Sequence, residues 1–321
     1  MKKMITITVP CYNEEKNVKP MAEILVKIME SLDYRFEIIF TDNCSTDATR
    51  EEIRKVAAED KRIKAIFNNR NYGVIDGRSS YNMCHYISRE ADAMIYIPCD
   101  FQEPPELIPE FIKYWEEGYK VVCGQKTASK EGRGKYFLRQ VFYKIIKRLS
   151  DVPQYDNLSG IHLSDKEVIE QFLKIDEDIE FRWAIADMGY EVKMIQYTQE
   201  KRKSGKSSYN LWRYLSFAIS SLIATSTAPL RLMTVAGAIM SIISFIIGVA
   251  YLIFKLVLWN WFQAGVAPVL IAVLFLGSVQ LLFLGMIGEY VATILRKVTK
   301  RPDVIVKESI NMEPENYREW K

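Results

Sequence analysis

Histidine and cysteine are scarce: the 321 residues include two histidines and five cysteines. The cysteines (Cys11, Cys44, Cys84, Cys99 and Cys123) stand singly, without Cys-x-x-Cys spacing. A zinc site built from such residues is excluded by that pattern. The odd count, and an opening MKKMITITVPCYNEE without the pattern of a secretory leader, lead us to expect reduced thiols that pack as small groups in the cytosol. A surplus of charge is also lacking. With 43 Lys and Arg against 40 Asp and Glu the net charge is +3, which leaves no broad basic surface for nucleic acid. Internal repeats and low-complexity stretches are absent too. What is present is segregated into a polar front and an apolar rear.

The front alternates strand and helix patterns. MITITVPCY reads as a buried strand, followed by a helix from about Val18 to Ser31, the strand FEIIFTD, and a helix starting near Thr46. A strand through Lys64 to Asn68, a helix from about Gly77 to Arg89 and the strand AMIYIPCD ending at Asp100 come next. EPPELIPEFIKYW then reads as a turn and a helix, and VVCGQK from Val121 as a short strand. This order predicts an α/β domain with a mostly parallel sheet. In such sheets ligands bind beyond the carboxyl ends of the strands, where Asn13, Asp42 and Asp100 fall.

The rear carries two apolar runs, about 232–258 and 266–295, each long enough to cross a bilayer. Arg231 precedes the first, and Arg296, Lys297, Lys300 and Arg301 follow the second, so the positive-inside rule places both termini in the cytoplasm of a multi-pass protein of the cell membrane. Gly237, Ala238, Gly277 and Gly285 are suited to packing within the hairpin or between copies in a homo-oligomer. The expected division is a cytoplasmic catalytic domain over 1–208, a juxtamembrane amphipathic segment over 209–230, the two spans over 231–295, and a cytoplasmic tail over 296–321. The tail from Asp303 onward is polar and carries no motif. EGRGKYFLRQVFYKIIKRLS mixes cations with aromatics and suits either lipid headgroups or an ordinary solvated face.

Three polar clusters carry chemistry. After the first strand, Tyr12, Asn13 and Glu14 offer an aromatic face and hydrogen-bonding groups to a nucleobase and ribose. Asp42 ends the second strand and is a ligand candidate, whereas Asp47 is better explained as the cap of the following helix. Asp100 and Gln102 stand on alternate residues, so an extended chain would aim both to one side, toward a divalent cation that keeps several waters and bridges diphosphate oxygens.

In this order, VPCYNEE, TDNCSTD, DFQEPPE and RKSGKSSYN before two spans, the chain resembles the family 2 glycosyltransferases of the GT-A fold, and within them the polyprenyl-phosphate glycosyltransferases. The likeness covers most of the chain, including FYKIIKRLSD, LSGIHLSD and the GEY and KRP near the end. It implies a Rossmann-like sheet with helices on both faces and a C-terminal two-helix transmembrane hairpin. It further implies that Pro10, Tyr12, Glu14 and Asp42 line the nucleotide-sugar site and that Asp100 and Gln102 hold Mg²⁺ or Mn²⁺. Arg202 and Lys206 would act at the reacting phosphates with Asp100, on a loop that closes over them. The implied reaction moves a hexose, from UDP-glucose or alternatively GDP-mannose, onto polyprenyl (undecaprenyl) phosphate for surface polysaccharide or glycan modification. A non-catalytic, membrane-anchored sugar-nucleotide sensor is the rival from another class.

The acceptor, a phosphate monoester, is mostly dianionic near neutrality because its second pKa is about 6, so no general base is required. Cations are required to hold two phosphates together, a role open to Lys126, Arg133, Lys135, Arg139 and Arg202. The chain departs from the family pattern in three places. Pro98 stands where D-x-D-x-Q has its first aspartate. Asn43 and Cys44 replace the Asp-Gly of the second strand's end. Ser159, Gly160, Ile161 and His162 replace a segment in which the bactoprenol enzymes usually carry an aspartate.

Overall fold

The computed structural model describes residues 2–72, 86–128, 155, 158–174, 181–199, 228–257, 266–298, 304–313 and 316–317. The chain divides into two compact units. One comprises Met1–Lys144, Val152–Phe217 and Arg301–Lys321, the other Ile145–Asp151 and Ala218–Lys300.

The first unit is built on one eight-stranded sheet. Its strands are β1 (Met4–Cys11), β2 (Arg35–Asp42), β3 (Ile63–Asn68), β4 (Ala93–Tyr96), β5 (Val121–Ala128), β6 (Leu158–Asp165), β7 (Val192–Thr198) and β8 (Val306–Ile310). They lie in the order β7-β5-β6-β4-β1-β2-β3-β8. Pairings β1–β2, β1–β4, β2–β3 and β5–β7 are parallel, and β3–β8, β4–β6 and β5–β6 antiparallel. The chain leaves β1 toward β2 and β3, then returns to its other side as β4. That reversal opens a crevice at the carboxyl ends of β1 and β4.

Helices are α1 (Val18–Glu30), α2 (Thr49–Glu59), α3 (Ile108–Glu116, entered through a 3₁₀ turn at Pro105–Leu107), α4 (Lys166–Phe172) and α5 (Phe181–Met188). α1 buries Val18, Met21, Ala22, Leu25 and Met29, an apolar stripe of period 3.6. Strand pleating sorts the core into two faces. Ile5, Ile7, Val9, Ile38, Phe40, Ile95 and Val122 pack with α1, α2 and α3. The alternate residues Met94, Val121 and Cys123 pack with α4 and α5. Helices therefore cover both faces, as expected.

β4 is shorter than the strand expected to run to Asp100. Ile97 still donates its N–H to Thr8 O (3.0 Å), but Pro98 has no N–H to continue the ladder. Tyr86 to Arg89, expected as the end of a helix, form instead a turn with an isolated bridge from Ser88 to Tyr317. The rest of that expected helix lies outside the described residues.

The tail, which read as featureless, completes the sheet. β8 is an antiparallel edge strand on β3, and Arg54 grips Glu308 with two hydrogen bonds of 3.3 and 2.6 Å. Asn311 donates to Ala57 O and Ile63 O. Tyr317 is fully buried against Ile39, Ile66 and Tyr86, its hydroxyl between Lys64 and the buried Glu37. Burial and the Glu37 charge push the Tyr317 hydroxyl pKa far above its ordinary value.

The second unit contains α6 (Ala228–Val257) and α7 (Val266–Val298). Leu232–Tyr251 and Phe275–Ala292 are long and apolar enough to cross a membrane. Many of their large apolar side chains are exposed, Phe245 and Leu281 by more than 70% (73% and 71%). Gly237 faces Phe283, 3.3 Å from where a Cβ would sit, whereas Gly277 and Gly285 face open space.

Candidate functional site

Loops at the carboxyl ends of β1, β2 and β4 each contain a non-glycine residue of positive φ: Asn13 (57°), Cys44 (63°) and Phe101 (56°). Left-handed backbone costs an L-residue roughly 1 kcal/mol, and such residues concentrate where function fixes a chain against its preference. Cys44, where the resemblance leads one to expect glycine, adopts the left-handed conformation that glycine would supply.

The β1 and β2 loops are knitted together. Thr46 N donates to Asn13 Oδ1 (2.8 Å), Asn13 N to Ser45 Oγ (2.9 Å), Glu14 N to Thr49 Oγ1 (2.8 Å) and Asn43 N to Cys11 O (2.9 Å). Pro10 is half-buried at the strand end, Glu14 is buried and accepts from Asn17, and Tyr12 is left 38% exposed, its aromatic ring open to a stacking partner. Asp47 accepts from Thr49 N at 3.0 Å, the helix-capping role expected of it.

Asp42 is fully buried. Its carboxylate accepts Ser45 N–H (3.2 Å) and the Arg50 guanidinium (2.6 Å), and Arg50 also reaches Asn68 O (2.9 Å). Asn43 extends the network toward β3, accepting from Tyr72 N (3.0 Å) and donating to Asn71 (3.1 Å). Sequence reasoning missed Arg50, which belongs to no recognisable pattern, and noted Asn43 only as a departure from the family's motif. The Cys11 thiol is pushed well up by burial, with Cys99 beside it adding to the shift, as suits a packing residue.

Asp100 and Gln102 share a tight turn rather than an extended chain. The left-handed residue Phe101 folds the Gln102 backbone N–H back onto Asp100 Oδ1 at 3.1 Å. The oxygen donors this turn offers, a carboxylate and a side-chain amide, suit a hard cation such as Mg²⁺ or Mn²⁺ by their chemistry. No cluster of three His, Cys, Asp or Glu side chains is present among the described residues, so substrate phosphates and water would complete the coordination.

Glu103, one residue further on, is the site's unexpected member. It is 4% exposed. Its carboxylate accepts the Tyr197 hydroxyl (3.3 Å) and the Gly160 N–H and lies 3.7 Å from Lys126 Nζ. Burial pushes its pKa up; Lys126 opposes the shift and Asp100 adds to it. The only signal in the sequence was an acidic residue ahead of two prolines, which also suits an exposed helix start. Lys126 is thus placed within reach of the Asp100 turn. Arg133, Lys135, Arg139, Arg202 and Lys206 lie outside the described residues, as do the whole basic segment 131–150 and most of the juxtamembrane segment 209–230.

Residues 6–173 match the family described as Glycosyl transferase family 2. The chain is 30% identical over 315 residues to an uncharacterized glycosyltransferase of Synechocystis, covering 96% of each protein. It is also 30% identical over 307 residues to the SfII prophage-derived bactoprenol glucosyl transferase of Shigella flexneri, covering 95% of this chain and 98% of that one. Among solved structures, a mannosyltransferase from Pyrobaculum calidifontis in complex with GDP-Man and Mn²⁺ aligns with a TM-score of 0.45 at 18% identity, over 71% of this chain and 66% of that one.

Proposed function

The chain belongs to glycosyl transferase family 2 and is a glycosyltransferase, and from that premise we propose that it moves a hexose from UDP-glucose to a polyprenyl phosphate at the cytoplasmic face of a membrane. The observation that carries this reading is that the Tyr12–Asn13 loop, the Asp42–Asn43 loop and the Asp100–Gln102 turn follow the carboxyl ends of the adjacent parallel strands β1, β2 and β4, in a chain that also bears two apolar helices of spanning length. The near full-length likeness to a bactoprenol glucosyl transferase supports a polyprenyl phosphate as acceptor.

In this mechanism the exposed Tyr12 ring stacks on the nucleobase. Glu14 and the Asp42–Arg50 pair shape the ribose and base pocket. Asp100 and Gln102 would hold a divalent cation, whose chemistry there would be to neutralise charge on the departing nucleoside diphosphate. Lys126 receives the acceptor phosphate, assisted by Arg133, Arg139, Arg202 and Lys206 as the sequence pattern suggests. A phosphate oxygen forms a bond to the anomeric carbon while the bond from that carbon to the diphosphate oxygen breaks. One displacement inverts the centre, and no proton need be removed from a dianionic nucleophile. The two apolar helices anchor the enzyme, with both termini cytoplasmic, and the product serves surface polysaccharide or glycan modification.

The test is transfer of radiolabelled sugar from a panel of UDP and GDP donors into butanol-extractable lipid, using purified full-length protein, polyprenyl phosphate and Mg²⁺ or Mn²⁺. Lipid label from UDP-glucose, abolished in Asp100→Asn, is the expected result. Label from GDP-mannose instead would replace the donor, and nucleotide binding without label from any donor would replace the acceptor reading.

A further inference from the structure

Glu103 lies at a junction of four parts of the fold. It follows the Asp100–Gln102 turn, and its carboxylate meets Lys126 from β5, the Gly160 N–H from β6 and the Tyr197 hydroxyl from β7. Lys126 and Tyr197 are register partners on the parallel β5–β7 pair, so both side chains leave the sheet on the same face. Gly160 makes room for the arrangement: a Cβ there would come within 3.6 Å of Glu103 Oε1 and 3.0 Å of Pro98 Cγ.

Neighbours are burdened unequally. Glu103's side chain is 6% exposed and Lys126's 27%. The carboxylate accepts from two neutral donors, the Tyr197 hydroxyl and the Gly160 N–H, and its charge is paired with the more exposed Lys126 ammonium 3.7 Å away. A free lysine side chain samples many rotamers and loses about 2 kcal/mol of rotamer entropy when fixed. Fixing it before the ligand arrives removes that penalty from binding.

We propose that Glu103 is a positioning residue for the acceptor end of the site, holding the Lys126 ammonium where an incoming phosphate monoester docks. This rests on the reading of Lys126 as a cation for the acceptor phosphate, and goes beyond it by naming what places that cation. Glu103 does not itself touch the reacting atoms.

The experiment is a double-mutant cycle on the full-length enzyme with Glu103→Gln, Lys126→Met and the pair, measuring KM and kcat for polyprenyl phosphate, the Kd for UDP and the thermal midpoint. Glu103→Gln should raise the acceptor KM about tenfold while the UDP Kd changes less than about twofold, and in the Lys126→Met background it should have almost no further effect. Losses that multiply, or a UDP Kd that rises in parallel with the acceptor KM, would overturn the proposal. Should Glu103→Gln fail to fold, Glu103→Asp, which keeps the charge but shortens its reach, is read in the same cycle. If the wild-type enzyme labels no lipid, the acceptor reading falls first. The cycle is then run on donor hydrolysis, where additive losses would show that Glu103 does not act through Lys126 at all.

Discussion

Pro98 and Gly160 are in contact: the Pro98 ring covers the hydrogen that stands where Gly160 would carry a Cβ, with Cγ 3.0 Å and Cδ 3.5 Å from that position. These are two positions where the family resemblance leads one to expect aspartate. Glu103 Oε1 stands 3.6 Å from the same position, so Pro98, Gly160 and Glu103 share one corner.

Gly160→Ala should then destabilise the enzyme by about 1 kcal/mol, because a rigid ring and a strand backbone must part by a few tenths of an ångström. Pro98→Ala in the same protein should recover most of the loss. Thermal unfolding of the single and double variants measures the coupling, and strict additivity would disprove the contact's importance.

The tail clasp gives a second prediction. Tyr317→Ala removes a fully buried ring and the hydroxyl that faces Lys64 and Glu37, so a loss of about 3 to 5 kcal/mol is expected. Deleting 304–321 strips β8 from β3 and should leave a protein that is rapidly digested by trypsin at temperatures the intact chain withstands. Equal protease resistance would mean that the edge strand contributes little.

Cys44→Gly should raise the thermal midpoint, since φ of 63° is free of strain only for glycine. The gain is about 1 kcal/mol, reduced by the greater freedom of glycine in the unfolded chain. Cys44→Val should move the midpoint in the opposite direction, because a β-branched side chain tolerates this conformation least.

Chelation tests the cation. EDTA should suppress sugar transfer by more than about a hundredfold, and added Mn²⁺ or Mg²⁺ should restore it. Gln102→Ala should shift the metal concentration needed for half-maximal rate upward while leaving the rate at saturating metal closer to wild type.

Asp165 supplies a pH prediction. It caps α4 through Glu167 N (3.0 Å) and accepts from Trp115 Nε1 (2.8 Å) and Lys120 (3.1 Å). Burial opposes ionisation there, but these donors outweigh it and hold the carboxyl below its ordinary value. The stabilisation is complete above the unfolded carboxyl pKa of about 3.9 and disappears as pH falls through the lower folded value. Asp165→Ala should cost about 2 kcal/mol at neutral pH, and its deficit relative to wild type should shrink in acid. A deficit independent of pH would point to packing alone.

Much of this fold is legible in local patterns. β1, α1, β2 and β3 fall within a few residues of where apolar runs and helical spacing place them, because each is locally consistent and pairs with a near neighbour in sequence. β8 was not legible. VKESI gains its meaning from Ala65 to Asn68, more than two hundred residues earlier, and no local signal announces such a partner. The candidate site divides in the same way. Asp100 and Gln102 stood out by type and spacing, yet it is the left-handed Phe101 that joins them.

Periodicity by itself determined the α/β pattern of the front and the two apolar runs of membrane-spanning length, and the strand-end motifs carried the resemblance to the glycosyltransferase family, because these are properties of the chain alone. Tertiary structure decided which strands adjoin, that a polar tail closes the sheet, and that Glu103, Gly160 and Pro98 form one corner. Those are contacts between segments distant in sequence, and their energies come from burial and close approach, which exist only once the sheet has formed.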